Sequence, residues 1–463
     1  MKFRSNIYLL IMLVASSCNP AGKDAPPPNI LLINIDDLGW VDVGFMGAEF
    51  YETPNMDVLA EAGLVFTQAY AGAANCAPSR ACMMTGLNTP RHGIYTVASS
   101  ERGASKDRKL IPTPNNVTLH DSLTTIAEVL QLAGYRTCQA GKWHLSNDSR
   151  DHGFDVNIGG NHAGHPNSYY PPYKNIDLEA PNGEYLTDNI MNRVLDYLEQ
   201  PSDKPFFLYY SPYAVHTPIQ KVDSLMYRFT EKKGPEGMNH MEYASMILNL
   251  DRNIGRLIDK LRELGAFENT FFIFTSDNGG LYRISRQTPL RAGKGSYYEG
   301  GIRVPMFFHW KDRIKPGINT TTPVSNLDFF PTINELAGVN LPGKTFDGIS
   351  LLPLLMENKI PDLRPFFWHF PVYLESGNQE TRDPMFRTRP GSVIRYGKWK
   401  LQHYLEDDAI ELFNLEEDPG ELLNLAEKNP GKANELLKLL DEWRIRSGAP
   451  LPTELNPDYV GGK

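Results

Sequence analysis

From residue 29 onward, short apolar runs alternate with longer stretches whose apolar positions recur every three to four residues. Residues 29–35, 137–140, 206–210 and 271–275 are the clearest runs, and each has the length and flanks of a buried strand. Residues 241–264, closed by Gly265, predict a helix. Residues 433–446 predict another, with Leu436, Leu437, Leu440 and Trp443 on one apolar face. Strands alternating with helices predict a doubly wound α/β fold: a large, mostly parallel sheet flanked by helices.

After about Asp362 the rhythm changes. Extended segments at residues 392–394 and 398–404 precede the last helix, with turn signals at Tyr396-Gly397 and Asp418-Pro419-Gly420. This predicts a smaller C-terminal α+β subdomain, residues 363–463, following a main domain of residues 29–362. No internal repeat or low-complexity tract interrupts either part.

The N-terminus reads differently. Lys2 and Arg4 precede nine apolar residues, Ile7 to Ala15, and then Ser16-Ser17-Cys18, the order of charge, apolar run and small residues found in export signals. Nine residues are too few to span a bilayer. Residues 1–17 are therefore expected to be a signal of the bacterial lipoprotein type, with a lipid on Cys18 as membrane attachment and residues 18–28 as a linker. Ala15 stands where such signals usually carry leucine, so an ordinary cleaved signal stays open. Either reading sends the protein to the periplasm or the outer membrane.

Composition narrows the function. The 463 residues carry a net charge of -9, which leaves no general basic surface for nucleic acid or anionic lipid, so an anionic ligand must be gripped locally. Four cysteines, Cys18, Cys76, Cys82 and Cys138, are too few for a disulfide framework, and no CxxC pair suggests zinc. Cys82 and Cys138 could be buried thiols or one bridge.

Each of the four strands ends in polar residues: Asp36-Asp37, Lys142 with His144, His216, and Asp277-Asn278. An acidic pair after a strand is by itself usually a cap or turn, and Asp-Asn-Gly is a common turn signal. In an open parallel sheet, however, the carboxyl ends of the strands face one crevice, where ligands bind. Lys142 and His144, two apart on an extended segment, are expected to share a face. Three aspartates and an asparagine offer hard oxygens, which suit Ca²⁺ or Mg²⁺ better than zinc or copper. A structural calcium loop gathers its ligands within about a dozen residues. Here they come from distant strands.

The most specific stretch is Cys76-Ala77-Pro78-Ser79-Arg80, continuing through Met84-Thr85-Gly86. Pro78 suits the first turn of a helix and Gly86 its end, which would put Cys76 at a helix N-terminus, where an anion is favoured. Taken alone, Cys76 reads more readily as an inert buried thiol than as a nucleophile. The whole pentad, however, resembles the signature of the type I, formylglycine-dependent sulfatases of the alkaline phosphatase superfamily. A second signature lies at Gly134-Tyr135-Arg136-Thr137 and Gly141-Lys142-Trp143-His144. The runs around His216, Asp277, Lys294, Tyr298 to Pro305 and Glu411 to Glu421 extend the likeness over nearly the whole chain.

The resemblance implies a calcium ion held by Asp36, Asp37, Asp277 and Asn278, with the residue at position 76 completing its shell. It also implies that Cys76 is oxidised to formylglycine by a formylglycine-generating or anaerobic sulfatase-maturating enzyme. A hydrated aldehyde would then attack sulfur, with Asp277 accepting its proton. Lys142 and Lys294 would neutralise the sulfuryl oxygens, Arg80 would orient the diol, and His216 or Lys294 would protonate the leaving oxygen. His144 would remove the second diol proton to expel sulfate, a step for which serine has no second hydroxyl.

A sulfated carbohydrate is the expected substrate, with a terminal galactose or N-acetylgalactosamine sulfate as the first expectation. Residues 157–166, with His165, and 367–371, with His369, resemble pocket-mouth regions of polysaccharide-degrading bacterial sulfatases. Two rivals are a phosphodiester or phosphonate monoester hydrolase and a catalytically inactive glycan-binding lipoprotein.

Overall fold

A computed structural model describes residues 26–461, so the export signal and Cys18 lie outside the described residues. Eight strands form the main sheet: β1 (Asn29–Ile35), β2 (Leu64–Phe66), β3 (Arg136–Gly141), β4 (Val156–Ile158), β5 (Phe206–Ser211), β6 (Thr270–Ser276), β7 (Met306–His309) and β8 (Gly317–Asn319). Their spatial order is β4-β3-β5-β1-β6-β7-β2-β8. The first five are parallel neighbours, with Ile30 opposite both Phe207 and Phe271. β7 runs antiparallel to β6 and β2. The sheet is thus parallel where the predicted strands lie and mixed toward one edge.

Side chains alternate between the two faces of each strand, so β1 feeds two cores. Leu31, Ile33 and Ile35 pack with helices α1 (Pro54–Glu61), α4 (Leu186–Glu199) and α5 (Met241–Glu263). Ile30 and Leu32 pack on the other side with α2 (Cys76–Thr85), α3 (Ile126–Leu132) and α6 (Phe329–Leu336). Each fully buried Leu, Ile or Phe contributes about 1.5–3 kcal/mol, so the doubly covered β1 is an anchor for whatever follows it.

The C-terminal part is a four-stranded antiparallel sheet, β9 (Phe366–Phe370), β10 (Gly391–Tyr396), β11 (Trp399–Tyr404) and β12 (Ile410–Asn414), covered by α7 (Pro430–Ser447). Its outer core joins Ile394, Leu401 and Leu412 to Ala433, Leu436, Leu440 and Trp443. Its inner face lies on the main domain, where Phe366, Trp368 and Phe370 meet Tyr70, Tyr95 and Tyr297. Cys82 and Cys138 are free, buried thiols. Among the described residues, no helix is long and apolar enough to cross a membrane.

Candidate active site

The doubly buried strands β1, β6, β3 and β5 deliver their polar ends to one crevice. Asp36 and Asp37 follow β1; Asp37 sits at φ 59, a left-handed conformation that costs a non-glycine residue of order 1 kcal/mol and persists only where its surroundings fix it. Those surroundings are the residues after β6. The Asp37 amide donates to Asp277 Oδ1 at 3.2 Å, and Asn278 Nδ2 donates to Asp37 Oδ1 at 2.9 Å.

Lys142, just past β3, donates from Nζ to both oxygens of Asp36 at 2.9 and 2.8 Å. His144 reaches the site by a different route from the one the sequence suggests. It lies beyond the strand at φ 64, so a left-handed kink, not strand alternation, turns its ring inward. Its amide donates to Asn161 O at 2.9 Å, and a Cβ on Gly164 would lie 2.7 Å from its ring, so glycine is what lets the ring sit where it does.

Helix α2 begins at Cys76, all ten of its residues are buried, and Gly86 closes it at φ 68 with its amide on Cys82 O. One turn in, Arg80 reaches back beneath the crevice. Its Nε donates to Asp277 Oδ2 at 2.9 Å, and its Nη1 donates to Lys142 O and Tyr209 Oη at 3.0 and 3.1 Å and to Ser211 Oγ. Cys76 Sγ lies 3.8 Å from Asp37 Oδ1. Lys294, from the loop after β6, donates to Asp37 Oδ2 at 2.7 Å and lies 3.0 Å from His216 Nε2.

Charge pairing decides which groups are ionised. Burial alone would raise Asp37, but Lys294, His216 and Lys142 overrule it and hold the carboxyl well below its usual range. Burial dominates at Asp36 and Asp277 and raises both, against Lys142 and Arg80 respectively. The Cys76 thiol is pushed up by burial but pulled further down by Lys142 and Lys294, to about 6. Burial, and then Lys142 and Arg80, drive the His144 imidazole well below its usual value, so it is neutral. Burial and Lys294 also depress His216, yet Asp37 and Asp36 outweigh them and its pKa stands above the ordinary value.

The donor set fits a hard divalent cation. Ligand atoms of Asp36, Asp37, Cys76 and His216 lie within 4.8 Å of one another. Asp277 and Asn278 adjoin them through the bonds to Asp37, and Asn278 Oδ1 is buried without a partner. An orphaned acceptor beside three carboxylates is the oxygen-rich donor chemistry that suits a hard divalent cation.

Above Cys76 opens a pocket of about 700 Å³. Lys294, His216 and His144 line its floor, and His162, Gly164 and His165 form one wall. His165 stacks on His216 with centroids 5.7 Å apart and planes 7° from parallel. Val97, Val117 and Arg102 also line the pocket. Sequence reading missed Arg102, since a lone arginine carries no local signal; His162 lies within the segment 157–166 named from the sequence, where His165 alone was singled out.

His369 is corrected: it is buried in β9, bonded to Ser392 Oγ at 2.7 Å and Pro450 O at 2.8 Å, and does not line the pocket. The segment Phe-Trp-His-Phe is a core strand, so its aromatic residues pack inward instead of facing a ligand.

The comparisons agree with this architecture. Residues 28–339 match the family model described as Sulfatase, and residues 293–444 match that of the N-sulphoglucosamine sulphohydrolase C-terminal region. A sulfatase of Formosa agariphila is 32% identical over 97% of this chain and 95% of its own length. The N-acetylgalactosamine-6-sulfatase of Canis lupus familiaris is 32% identical over 78% of this chain and 72% of its own. The crystal structure of Ps i-CgsB in complex with k-i-k-neocarrahexaose superposes with a TM-score of 0.75 at 31% identity, covering 90% of this chain and 92% of that one. Fold, strand-end cluster and likeness along most of the sequence lead to one conclusion: the chain belongs to the sulfatase family and is a sulfuric ester hydrolase.

Proposed function

We propose that this sulfatase is an exported enzyme that removes sulfate from a terminal sugar of an extracellular glycan, using Cys76 as formylglycine and calcium on Asp36, Asp37, Asp277 and Asn278. The observation that carries this reading is the position of Cys76. It sits in the first turn of a buried helix, at the floor of the pocket, beside Asp37 and under Lys294 and His216. An unmodified thiol has no reason to be placed there; an aldehyde made from it does.

Once hydrated, the aldehyde supplies a hydroxyl to attack sulfur and a second one whose deprotonation expels sulfate. Calcium supplies Lewis-acid stabilisation of negative oxygen. The remaining work falls to the chain's own side chains. Three carboxylates, Asp36, Asp37 and Asp277, face three cations, Arg80, Lys142 and Lys294. Adding a divalent ion leaves the crevice positive, as binding a sulfate ester requires. Asp277, raised by burial, takes the proton of the attacking hydroxyl.

His216 Nδ1 lies 2.8 Å from Thr217 O, an acceptor only, so Nδ1 carries the hydrogen and Nε2 is the exchanging atom. Nε2 shares a proton with Lys294 at 3.0 Å, and this pair protonates the sugar oxygen as the sulfur–oxygen bond breaks. Neutral His144, whose Nδ1 has no partner, accepts the proton of the second hydroxyl, and sulfate leaves as the carbonyl re-forms.

The sugar reading rests on the pocket's size, far larger than a sulfate group, and on its imidazole wall at His162 and His165. The likeness to an N-acetylgalactosamine-6-sulfatase supports a galacto-configured sugar. A lipid on Cys18 would keep the enzyme at the membrane, and Cys18→Ser would release it.

Peptide mass spectrometry of protein made with a maturation enzyme tests the nucleophile: Cys76 should lose sulfur and gain a carbonyl oxygen. Unmodified Cys76 with undiminished turnover would overturn the proposal. Prolonged chelation should abolish activity and calcium should restore it. Sulfated galactose and N-acetylgalactosamine should be turned over in preference to a matched phosphodiester.

A further inference from the structure

Although the protein is acidic overall, the residues lining the pocket include no carboxylate, two cations, Lys294 and Arg102, and four imidazoles. Behind Lys294 lies a third cation, Arg387, from the C-terminal part of the chain. It runs along the loop backbone, where a Cβ on Gly295 would meet its Cδ at 2.9 Å, and its Nη1 points at Lys294 O, 3.5 Å away. Nε donates to Ser376 O at 3.2 Å, and among the described residues no carboxylate lies within ion-pair distance of the guanidinium.

Arg102 lines the pocket and is ion-paired with Glu375. Its Nε and Nη2 both meet the same oxygen of Glu375, at 3.0 and 2.5 Å, and Nη1 faces Val97 O at 3.3 Å. Burial depresses Arg387; Asp37 and Glu375 counter this, and Arg283 and Arg102 add to it. Through residues 375 and 376 the two arginines are brought together, two guanidiniums to the one carboxylate of Glu375. A half-buried guanidinium bonded only to carbonyls lacks the planar anion it binds best. The cost of holding it there is offset when a ligand brings that anion.

We infer that Arg102 and Arg387 form a second anion subsite at the pocket rim, taking a further negatively charged substituent of the saccharide whose scissile sulfate lies over Cys76. That substituent is a planar or tetrahedral oxyanion, either a second sulfate or a uronate carboxylate. The inference rests on the sugar-sulfatase reading above and deepens it: the natural substrate is a multiply charged oligosaccharide or disulfated sugar. The apolar side chains of Val97 and Val117, which also line the pocket, would meet the ring itself.

Sulfate release from four substrates tests this: a small aryl sulfate, a monosulfated monosaccharide, the same sugar with a second sulfate, and the same sulfated sugar linked to a uronic acid. The matured enzyme should show its lowest KM on one of the doubly charged pair, and which of the two identifies the anion. Arg387→Gln should raise that KM about tenfold or more with kcat nearly held, the loss expected for a charge-assisted hydrogen bond, against less than threefold on the singly charged substrates. Arg102→Gln should give the same split, an independent check should Arg387→Gln fold poorly. Equal KM for singly and doubly charged saccharides, or equal rises across all four substrates in both variants, would overturn the subsite while leaving the sulfatase reading intact. Absence of turnover on every sulfate ester would overturn both.

Discussion

Among the described residues, two clusters of fully buried charge stand apart, and they differ in kind. In the crevice, Lys142 and Arg80 meet Asp36 and Asp277. At the joint between the two parts of the chain, Lys400 on β11 meets Glu299 at 3.0 Å and Glu421 at 2.9 Å, while Tyr70 Oη donates to Glu299 at 2.7 Å and Arg303 stands 3.5 Å away. Residue types, distances and burial are nearly the same. Beside the first cluster, Cys76, His216 and Lys294 line the large pocket, and Asn278 Oδ1 and His144 Nδ1 are buried with no partner at all; at the second, Glu299 and Glu421 both pair with Lys400, and the cavity of about 500 Å³ there is bordered by Tyr70 and Arg303. A buried ion pair by itself therefore says nothing about chemistry; empty space above it and unsatisfied atoms facing that space do. The comparison also explains two stretches of family resemblance with no catalytic role. The runs from Tyr298 to Pro305 and from Glu411 to Glu421 contain Glu299 and Glu421, which tie the small sheet to the main domain.

The largest effects should separate the clusters cleanly. Cys76→Ala is expected to lower kcat by about 10³-fold or more, as loss of a covalent nucleophile does, while the melting temperature stays close to that of the parent. Lys400→Met should do the reverse: it strands two carboxylates in the interior and costs about 3–5 kcal/mol of stability. Turnover per folded molecule should change by no more than about threefold. Thermal denaturation paired with kinetics on both variants checks this, and a Lys400→Met enzyme that keeps its stability but loses turnover would erase the distinction.

Much of this was legible in the chain. All four strands and both helices lie where periodicity puts them, because long, strongly patterned segments are decided by burial. The polar strand ends were legible too, since a doubly covered strand has no local reason to finish in Asp36-Asp37 or Asp277-Asn278. What escaped is what depends on chain crossings. Arg102 is fixed at the pocket by Glu375, and Arg387 stands behind Lys294, only because residues far along the sequence return there, and His369 was misplaced because an aromatic-rich strand looks like an aromatic-rich loop when its partner strand is unknown. The inward turn of His144 depends on a single left-handed residue, which periodicity does not encode.

A smaller effect sharpens the structural side of the comparison. Burial raises Glu421 to about 7, against Lys400, which lowers it; Glu299 is depressed to about 2 because Lys400 and Arg303 outweigh its burial. Glu421 holds its proton more tightly folded than unfolded. Its stabilising contribution is thus full below the ordinary value of 4.5 and is lost as pH climbs through about 7. Glu299 has the opposite sense, present above 4.5 and lost only toward about 2, so it is silent in this window. The melting temperature should fall by a few kelvin between about pH 5 and pH 8 on this account. Glu421→Gln should flatten that slope, and an unchanged slope would remove Glu421 as its source.

The smallest expected effect probes the crevice itself, through a residue that makes no chemical contribution. Gly164 lies against the His144 ring, where an added Cβ would stand 2.7 Å from Cε1 and 2.8 Å from Nε2. The backbone at His144 is held by its bond to Asn161 O, so the ring gives way until these contacts open to an ordinary van der Waals separation. A base displaced by that much still reaches its proton but in poorer alignment, and a loss of about tenfold in kcat is expected. On the proposed mechanism His144 acts after the sulfur–oxygen bond to the substrate has broken, so KM on a small aryl sulfate should fall with kcat and kcat/KM should hardly change. Stability should also hold, since the new methyl group borders open pocket on one side. Pre-steady-state measurement of Gly164→Ala makes the expectation specific. The first turnover should keep its burst of released alcohol while the steady rate falls, because only the expulsion of sulfate is slowed. A variant in which burst and steady rate fall together would assign His144 to the first step instead, and one in which neither falls would take His144 out of the proton path.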